Sequence, residues 1–271
     1  WRPELAWFIA RREDLAFVEI IAETFWRHPR LSEPLQQLRE QGVAIVPHAI
    51  SLSLGGAEPL DMDRVDALAR LAEQCQAPLV SDHLAFTRAG GRESGHLLPV
   101  AHSRAMLDVV IDNVRRARAV LPVPLAIENI ATLFAWPEPE LDEAAFLAEL
   151  IDATGAQLLL DVENLYANQQ NLGTDPAAFL DCLPLDRLAY VHLAGGFRDA
   201  SGLYHDTHAH AVPEAVFALF EALCRRSPVP AVLLERDDLF PPDADIHAEL
   251  DQIQAMLEGR PPAAGRLCRA A

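Results

Sequence analysis

Short apolar runs alternate with longer stretches of helical periodicity along most of this 271-residue chain. That alternation constrains the fold more than any other feature. The runs cover 17–23 (FVEIIAE), 43–50 (VAIVPHAI), 78–84 (PLVSDHL), 124–129 (PLAIEN), 157–163 (QLLLDVE), 188–194 (LAYVHLA) and 231–235 (AVLLE). Apolar residues follow one another instead of alternating with polar ones, the pattern of parallel strands buried on both faces. Between the runs, a 3.6-residue period predicts helices over 31–41, 61–75, 102–120, 141–153, 174–182, 213–226 and 244–258. Asp175 before Pro176, and Pro213 at a first helical turn, mark two helix starts.

A regular strand-then-helix order leaves an open doubly wound sheet or a closed (β/α)8 barrel. An open sheet would announce a ligand by a glycine fingerprint after its first strand, and none occurs. The expected class is therefore α/β, a (β/α)8 TIM barrel. Only seven strands are visible, so the first is expected to be truncated or missing, and Trp1 in place of an initiator methionine agrees with that. No composition break divides the chain. Residues 1–258 are expected to form one barrel domain, with a frayed tail over 259–271 that carries Pro261-Pro262.

The chain holds 22 Lys+Arg against 40 Asp+Glu, a formal charge of −18. It contains no lysine. Nucleic acids and anionic membranes require clustered cations, so neither is an expected partner. Arg115-Arg116 with Arg118, and Arg225-Arg226, read as solvated helix faces. Cys75, Cys182, Cys224 and Cys268 are widely spaced, which suits free thiols in a reducing cytoplasm. No run of 18 apolar residues predicts a transmembrane helix, and the first residues do not resemble a signal peptide.

Chemistry concentrates at the strand ends, where a barrel places its active site. The runs end in His48, His83, Glu128, Asp161 with Glu163, His192 and Glu235. Residues two apart share a strand face. Ala44, Val46 and His48 make one such row, Leu159, Asp161 and Glu163 a second, Tyr190 and His192 a third, Leu233 and Glu235 a fourth. A loop cluster, His205-Asp206-Thr207-His208-Ala209-His210, is placed to fold over the same mouth. Any one of these residues alone reads as a cap or a satisfied core group. Together, buried carboxylates and imidazoles would repel one another or shift their pKa values unless a cation neutralised them. Mixed nitrogen and oxygen donors without thiolate, in excess of four, suit two or three ions of iron, manganese or zinc. GxSxG, HExxH and GxxxxGK[ST] motifs are absent. Gly195-Gly196 and Gly55-Gly56 read as tight turns, and Trp136 as packing a long loop near the mouth.

The segments WRPEL, PHAISLSLGG, SDHLAF, LLPVAHS, IENI, LLLDVENLYAN, VHLAGG, DTHAH and LLER occur in this order over residues 1–236. Together they resemble the multinuclear non-haem iron-dependent oxidases, whose founding members modify cysteines of ribosomally made peptides, as in methanobactin maturation. The resemblance implies a (β/α)8 barrel with two or three irons, mixed Fe(II)/Fe(III), at its mouth. It places His48, His83, Glu128, Asp161, His192, Asp206, His208 and Glu235 on metal-binding motifs. Asn129 and Asn164 would hydrogen-bond ligands or complete a labile third site. Members commonly carry Asn where this chain has Glu163, which leaves the third metal's ligand set open with Glu163 as a candidate ligand. The implied activity is oxidation, with O2 as co-substrate, of a cysteine in a precursor peptide held as its thiolate. A partner protein that presents the peptide is also implied. Two other readings remain: a xylose-isomerase-like isomerase or endonuclease, and a non-catalytic metal-binding subunit. The charge disfavours the endonuclease and the lack of lysine the isomerase. Retention of all the candidate ligands disfavours the subunit.

Overall fold

The order of elements follows the apolar runs closely. The computed structural model describes residues 1–259. After a short N-terminal helix α1 (Ala6–Arg11) come β1 (Phe17–Ile21), α2 (Ala22–Phe25), α3 (Glu33–Glu40), β2 (Ala44–His48), α4 (Met62–Cys75) and β3 (Val80–His83). An antiparallel hairpin, β4 (Ala85–Ala89) and β5 (Arg92–Pro99), precedes α5 (Arg104–Val120), β6 (Leu125–Glu128), α6 (Glu143–Thr154) and β7 (Gln157–Asp161). Then follow α7 (Val162–Leu172), α8 (Pro176–Cys182), β8 (Leu188–Leu193), a small ribbon of β9 (Phe197–Arg198) and β10 (Tyr204–His205), α9 (Glu214–Cys224), β11 (Val232–Leu234) and α10 (Asp243–Leu257).

Seven parallel strands, in the order β1-β2-β3-β6-β7-β8-β11, form a nearly closed barrel. Its edge strands β1 and β11 both face a cavity of about 130 Å³ lined also by Trp1, Leu5, Phe8 and Ile9. The N-terminal segment thus lines the seam at which the sheet does not pair with itself. Among the described residues no strand precedes β1.

Leu158, Leu159 and Leu160 are all fully buried. Such a run is stable only with apolar partners on both strand faces, and the molecule supplies two cores. The larger lies between sheet and helices and includes Leu158, Leu160, Val191, Phe146 and Phe220. The smaller fills the barrel with Val46, Ala126, Leu159 and Tyr190, with Phe17 and Ala231 packed against them. Two residues further along the same inward faces stand His48, Glu128, Asp161 and His192. The barrel core therefore forms the floor of a polar mouth.

The structure departs from the expected elements in three places. The run 157–163 is not all strand: β7 stops at Asp161, whose Oδ1 accepts the Asn164 N–H at 2.7 Å and caps α7. Glu163 therefore stands in the first turn of a helix and does not share a strand face with Asp161, and the helix over 162–172 was not anticipated because its start lies inside the apolar run. The hairpin over 85–99 was also missed; it turns through Gly90 and Gly91, both at positive φ. Pro213 sits at the N-cap of α9 instead of within its first turn. The tail beyond Gly259, with Cys268, lies outside the described residues. Among the described residues no helix is long and apolar enough to cross a membrane.

Candidate metal centre

Parallel register sets the inward residues at the mouth. His83 pairs with Glu128 across β3 and β6, and Asp161 with His192 across β7 and β8. His48, His83, Glu128 and Asp161 are each the last residue of their strand, so their side chains emerge where the apolar floor ends. Glu235 follows β11 directly.

These residues meet. His48 Nε2 lies 3.3 Å from His83 Nε2 and 3.5 Å from Glu128 Oε2, and the third edge of that triangle, His83 Nε2 to Glu128 Oε2, is 3.4 Å. The other oxygen of Glu128 is 3.1 Å from His192 Nδ1, which is also 3.1 Å from Glu235 Oε2 and 4.0 Å from Asp161 Oδ2. Glu235 Oε1 in turn lies 3.2 Å from His208 Nδ1. His208 Nε2 stands 2.6 Å from Asp206 Oδ1. Asp206, His208 and Glu163 form a further group of donors within 4.8 Å of one another. Glu128 and Glu235 each divide their two oxygens between neighbouring donor groups, so three groups form one continuous array.

The donors fit multivalent cations. Atoms about 2.1 Å from a shared ion stand about 3.0 Å apart at right angles and about 3.4 Å apart in a tetrahedron, and the separations of 3.1 to 3.5 Å fall in or close to that window. Buried oxygens without a hydrogen-bond partner cluster in the same place: Glu128 Oε2, Asp161 Oδ2, Glu163 Oε2 and Asn164 Oδ1. A buried acceptor left unpaired is costly, and several facing one another signal a missing positive charge.

Protonation tells the same story. Burial, with Asp206 and Glu128 nearby, holds the Asp161 carboxyl well above its usual range. Burial and Asp206 push Glu163 to about 10. Burial works against a charged His83, yet Glu128 and Asp82 raise it to about 9. His192 and His208 are likewise held well above the usual imidazole value, against burial, by Glu19 with Glu128 and by Glu235 with Asp206 respectively. Without a cation the array collects protons in its place.

Neighbouring groups hold the array in position. Asn129 clamps the backbone of Asp161 with two bonds of 2.9 Å, its Nδ2 donating to the carbonyl and its Oδ1 accepting the N–H. Asn164 Nδ2 donates to the Asn129 carbonyl at 3.0 Å. Tyr204 donates its hydroxyl to Glu163 Oε1 at 3.0 Å and accepts the Gly196 N–H at 3.0 Å. His208 has a positive φ of 50°, uncommon for a residue with a side chain, and its carbonyl accepts the Asp237 N–H at 2.8 Å. Within the 205–210 loop only Asp206 and His208 reach the array. His205 bonds Asp199 at 2.8 Å and His210 bonds Thr207 at 3.1 Å, both packing against Phe197.

Gly195 and Gly196 do not form the expected tight turn. Neither has positive φ; a Cβ at Gly195 would run into the carbonyls of His210 and Ala211, and one at Gly196 into the His205 carbonyl and Glu163 Oε1. They are glycines so that the loop can lie against the strand end. Trp136 donates its indole N–H to the Pro99 carbonyl at 2.7 Å, tying the loop after β6 to the hairpin.

Glu19 and Ser81 bond the array's imidazoles, and neither stands out in the sequence reading, which places only Tyr190 on the row that ends in His192. Glu19 lies on the inward face of β1 two residues after Phe17, and a single acid inside the apolar run FVEII was the available signal.

A family model described as RiPP precursor modification enzyme MbnB/TglH/ChrH matches residues 1–258. A UPF0276 protein of Streptomyces avermitilis is 48% identical over 265 residues, covering 95% of this chain and 54% of that relative. One from Caulobacter vibrioides is 37% identical over 251 residues, covering 92% and 89%. The chain thus spans about half the length of the first relative and most of the second. Among solved structures, a D-psicose 3-epimerase crystallised in the presence of D-fructose superposes with a TM-score of 0.63 at 12% identity, over 95% of both chains. A xylose isomerase domain protein from Planctomyces limnophilus gives 0.57 at 13%, over 91% of this chain and 90% of that one. Identities this low show a shared barrel fold.

Proposed function

Because the chain belongs to the MbnB/TglH/ChrH family of RiPP precursor modification enzymes, we propose that it uses iron and O2 to oxidise a cysteine of a ribosomally synthesised precursor peptide. The observation that carries this reading is the sharing of Glu128 and Glu235 between adjacent donor groups, which suits two or three ions held side by side. His48, His83 and Glu128 would hold one iron, Glu128, Asp161, His192 and Glu235 a second, and Glu163, Asp206 and His208 with Asp161 or Glu235 a third. Iron there would supply a thiolate-binding Lewis acid and one-electron redox capacity toward O2.

The chain's own residues do the rest. The floor of Val46, Ala126, Leu159 and Tyr190 keeps water from the inner end of the array. Asp206, His208 and Glu235 are only partly buried, which makes the loop side the approach for a peptide. Exposed Leu133, Phe134 and Trp136 follow β6 and exposed Phe197 follows β8 at the same end of the barrel, where they offer apolar contacts to a peptide. A charge of −18 favours a basic leader segment, and a presenting partner protein completes the proposal. Unpaired Cys75, Cys182 and Cys224 agree with a cytoplasmic setting.

Anaerobic purification with metal analysis, followed by mass spectrometry of cysteine-containing peptides incubated with Fe(II) and O2, tests the reading. Iron occupancy with an oxidative mass change on cysteine supports it. Zinc-only protein that epimerises a ketose would overturn it in favour of a sugar isomerase, and iron content unchanged after combined His83→Ala and Asp161→Ala would remove its metal basis.

A further inference from the structure

Beneath the donor array a line of buried polar groups crosses the barrel. His48 Nδ1 is 2.8 Å from Ser81 Oγ, which is 2.7 Å from the Tyr190 hydroxyl. That hydroxyl donates to Glu19 Oε2 at 2.6 Å, and the same oxygen is 3.1 Å from His192 Nε2. All five side chains are buried, and Phe17 packs edge-on against the Tyr190 ring beside them. A carboxylate on the floor of an apolar barrel is expensive to bury, and leucine would pack there without that cost. Its presence calls for a role.

With metal bound, hydrogen positions along the line follow from two facts of chemistry. An imidazole that ligates through one nitrogen carries its proton on the other, and an ionised carboxylate, as Glu19 would be, only accepts. Tyr190 therefore spends its proton on Glu19, and its oxygen is left to accept from the Ser81 hydroxyl. Ser81, its own proton spent, accepts from His48 Nδ1–H. On the other side His192 gives Nε2–H to Glu19 directly. In the metal-bound protein His48 would thus turn a bare Nε2 toward His83 Nε2 and Glu128 Oε2, and His192 a bare Nδ1 toward Glu128 and Glu235.

We propose that Glu19 is a shared positioning residue for two adjacent metal centres, fixing the proton of His192 directly and that of His48 through Tyr190 and Ser81. The two imidazoles then ligate through opposite nitrogens, Nε2 in His48 and Nδ1 in His192. Carboxylate partners of this kind orient a ligating imidazole and raise its basicity. Here one carboxylate serves two ligands on strands β2 and β8, so the centres share a single support. The proposal rests on the metal-binding part of the functional reading and is independent of the oxidation of cysteine.

The test uses the whole chain loaded with Zn(II) alone, so its outcome is separate from catalysis. Tyr190→Phe removes one oxygen, Ser81→Ala breaks the same line one step earlier, and Glu19→Gln removes the acceptor-only end. Metal affinity is read by chelator competition and ring protonation by long-range 1H–15N correlation of the imidazoles, with the melting temperature of the metal-free proteins as a folding control. The wild-type spectrum should show His48 protonated at Nδ1 and His192 at Nε2. Tyr190→Phe and Ser81→Ala should weaken one zinc by about 10- to 100-fold and leave the His192 signals in place, whereas Glu19→Gln should weaken two. Folded Tyr190→Phe and Ser81→Ala proteins with wild-type affinity for every zinc would overturn the proposal even if Glu19→Gln does not fold, and so would a wild-type spectrum in which both rings bind through the same nitrogen. Success here beside unmodified cysteine peptides under Fe(II) and O2 would sink the oxidase reading alone.

Discussion

The two sides of the barrel mouth are built differently. On one side His48, His83 and Glu128 terminate β2, β3 and β6, so adjacent hydrogen-bonded strands set their spacing. On the other, Glu163 comes from the first turn of α7, Asp206 and His208 from a loop, and Glu235 from the residue after β11. Charge divides along the same line. Two imidazoles face one carboxylate on the strand side, and although burial opposes it, His192 and His83 hold Glu128 below the usual carboxylate range. Four carboxylates crowd the other side, where Asp161 and Glu163 are pushed up. The strand side keeps its carboxylate ionised without a cation, whereas the loop side without one is neutralised by protons on its acids.

Removing the group common to two centres should have the largest effect. Glu128→Ala is expected to cost at least two metal ions, with a loss of affinity beyond the about 10- to 100-fold typical of a ligand's outer partners. Elemental analysis measures it, and an unchanged metal count would mean that the two sides do not share this carboxylate.

Next in size is the dependence of stability on metal and pH. In the metal-free protein the His83 proton is held to about 9, a contribution complete below the ordinary value of 6.5 and lost as pH rises through 9. Glu163, raised from 4.5 to about 10, likewise favours the fold less as pH climbs across that interval. Both signs agree. The melting-temperature gap between metal-loaded and metal-free protein should widen from pH 6 to pH 9. A gap that is constant or narrows would remove the contrast between protons and metal.

Smaller still, Asp206→Ala or His208→Ala should remove one ion and spare those on the strand side, as elemental analysis would show. Loss of all metal from either variant would mean the two sides form one inseparable unit.

The smallest change is Glu163→Gln. At pH 7 it should stabilise the metal-free protein by on the order of 3 kcal/mol, because burial no longer has to hold a proton on that group, while lowering occupancy of the loop-side centre. Denaturant unfolding with and without metal measures both. Destabilisation of the metal-free form would place Glu163 among the rigid, compensated residues.

Legibility follows the same boundary. The strand ends could be read from sequence because a parallel strand buried on both faces is a continuous apolar run, and a polar residue at its end stands out, as in VPHAIS and SDHLAF. The fold class and the family followed from those runs and their motifs. Across β7 and α7 the reading failed, since LLLDVEN passes from strand to helix at Asp161 with no polar gap to mark the change. Asp206 and His208 were visible as a cluster, but nothing local says that His205 and His210 turn away to Phe197. Gly195 and Gly196 looked like a turn because the carbonyls that exclude a Cβ come from the loop 205–211.

By itself the sequence determined the alternation of strand and helix, the barrel class and the chemistry of the donors, because hydrophobic period and residue type are local properties. Tertiary structure decided which oxygen of Glu128 and of Glu235 faces which imidazole. It also put Ser81 of β3 and Glu19 of β1 within hydrogen-bond reach of His48 and His192, with Tyr190 of β8 joining the two. Contacts of that kind join residues up to 173 positions apart, and only closure of the barrel brings them together.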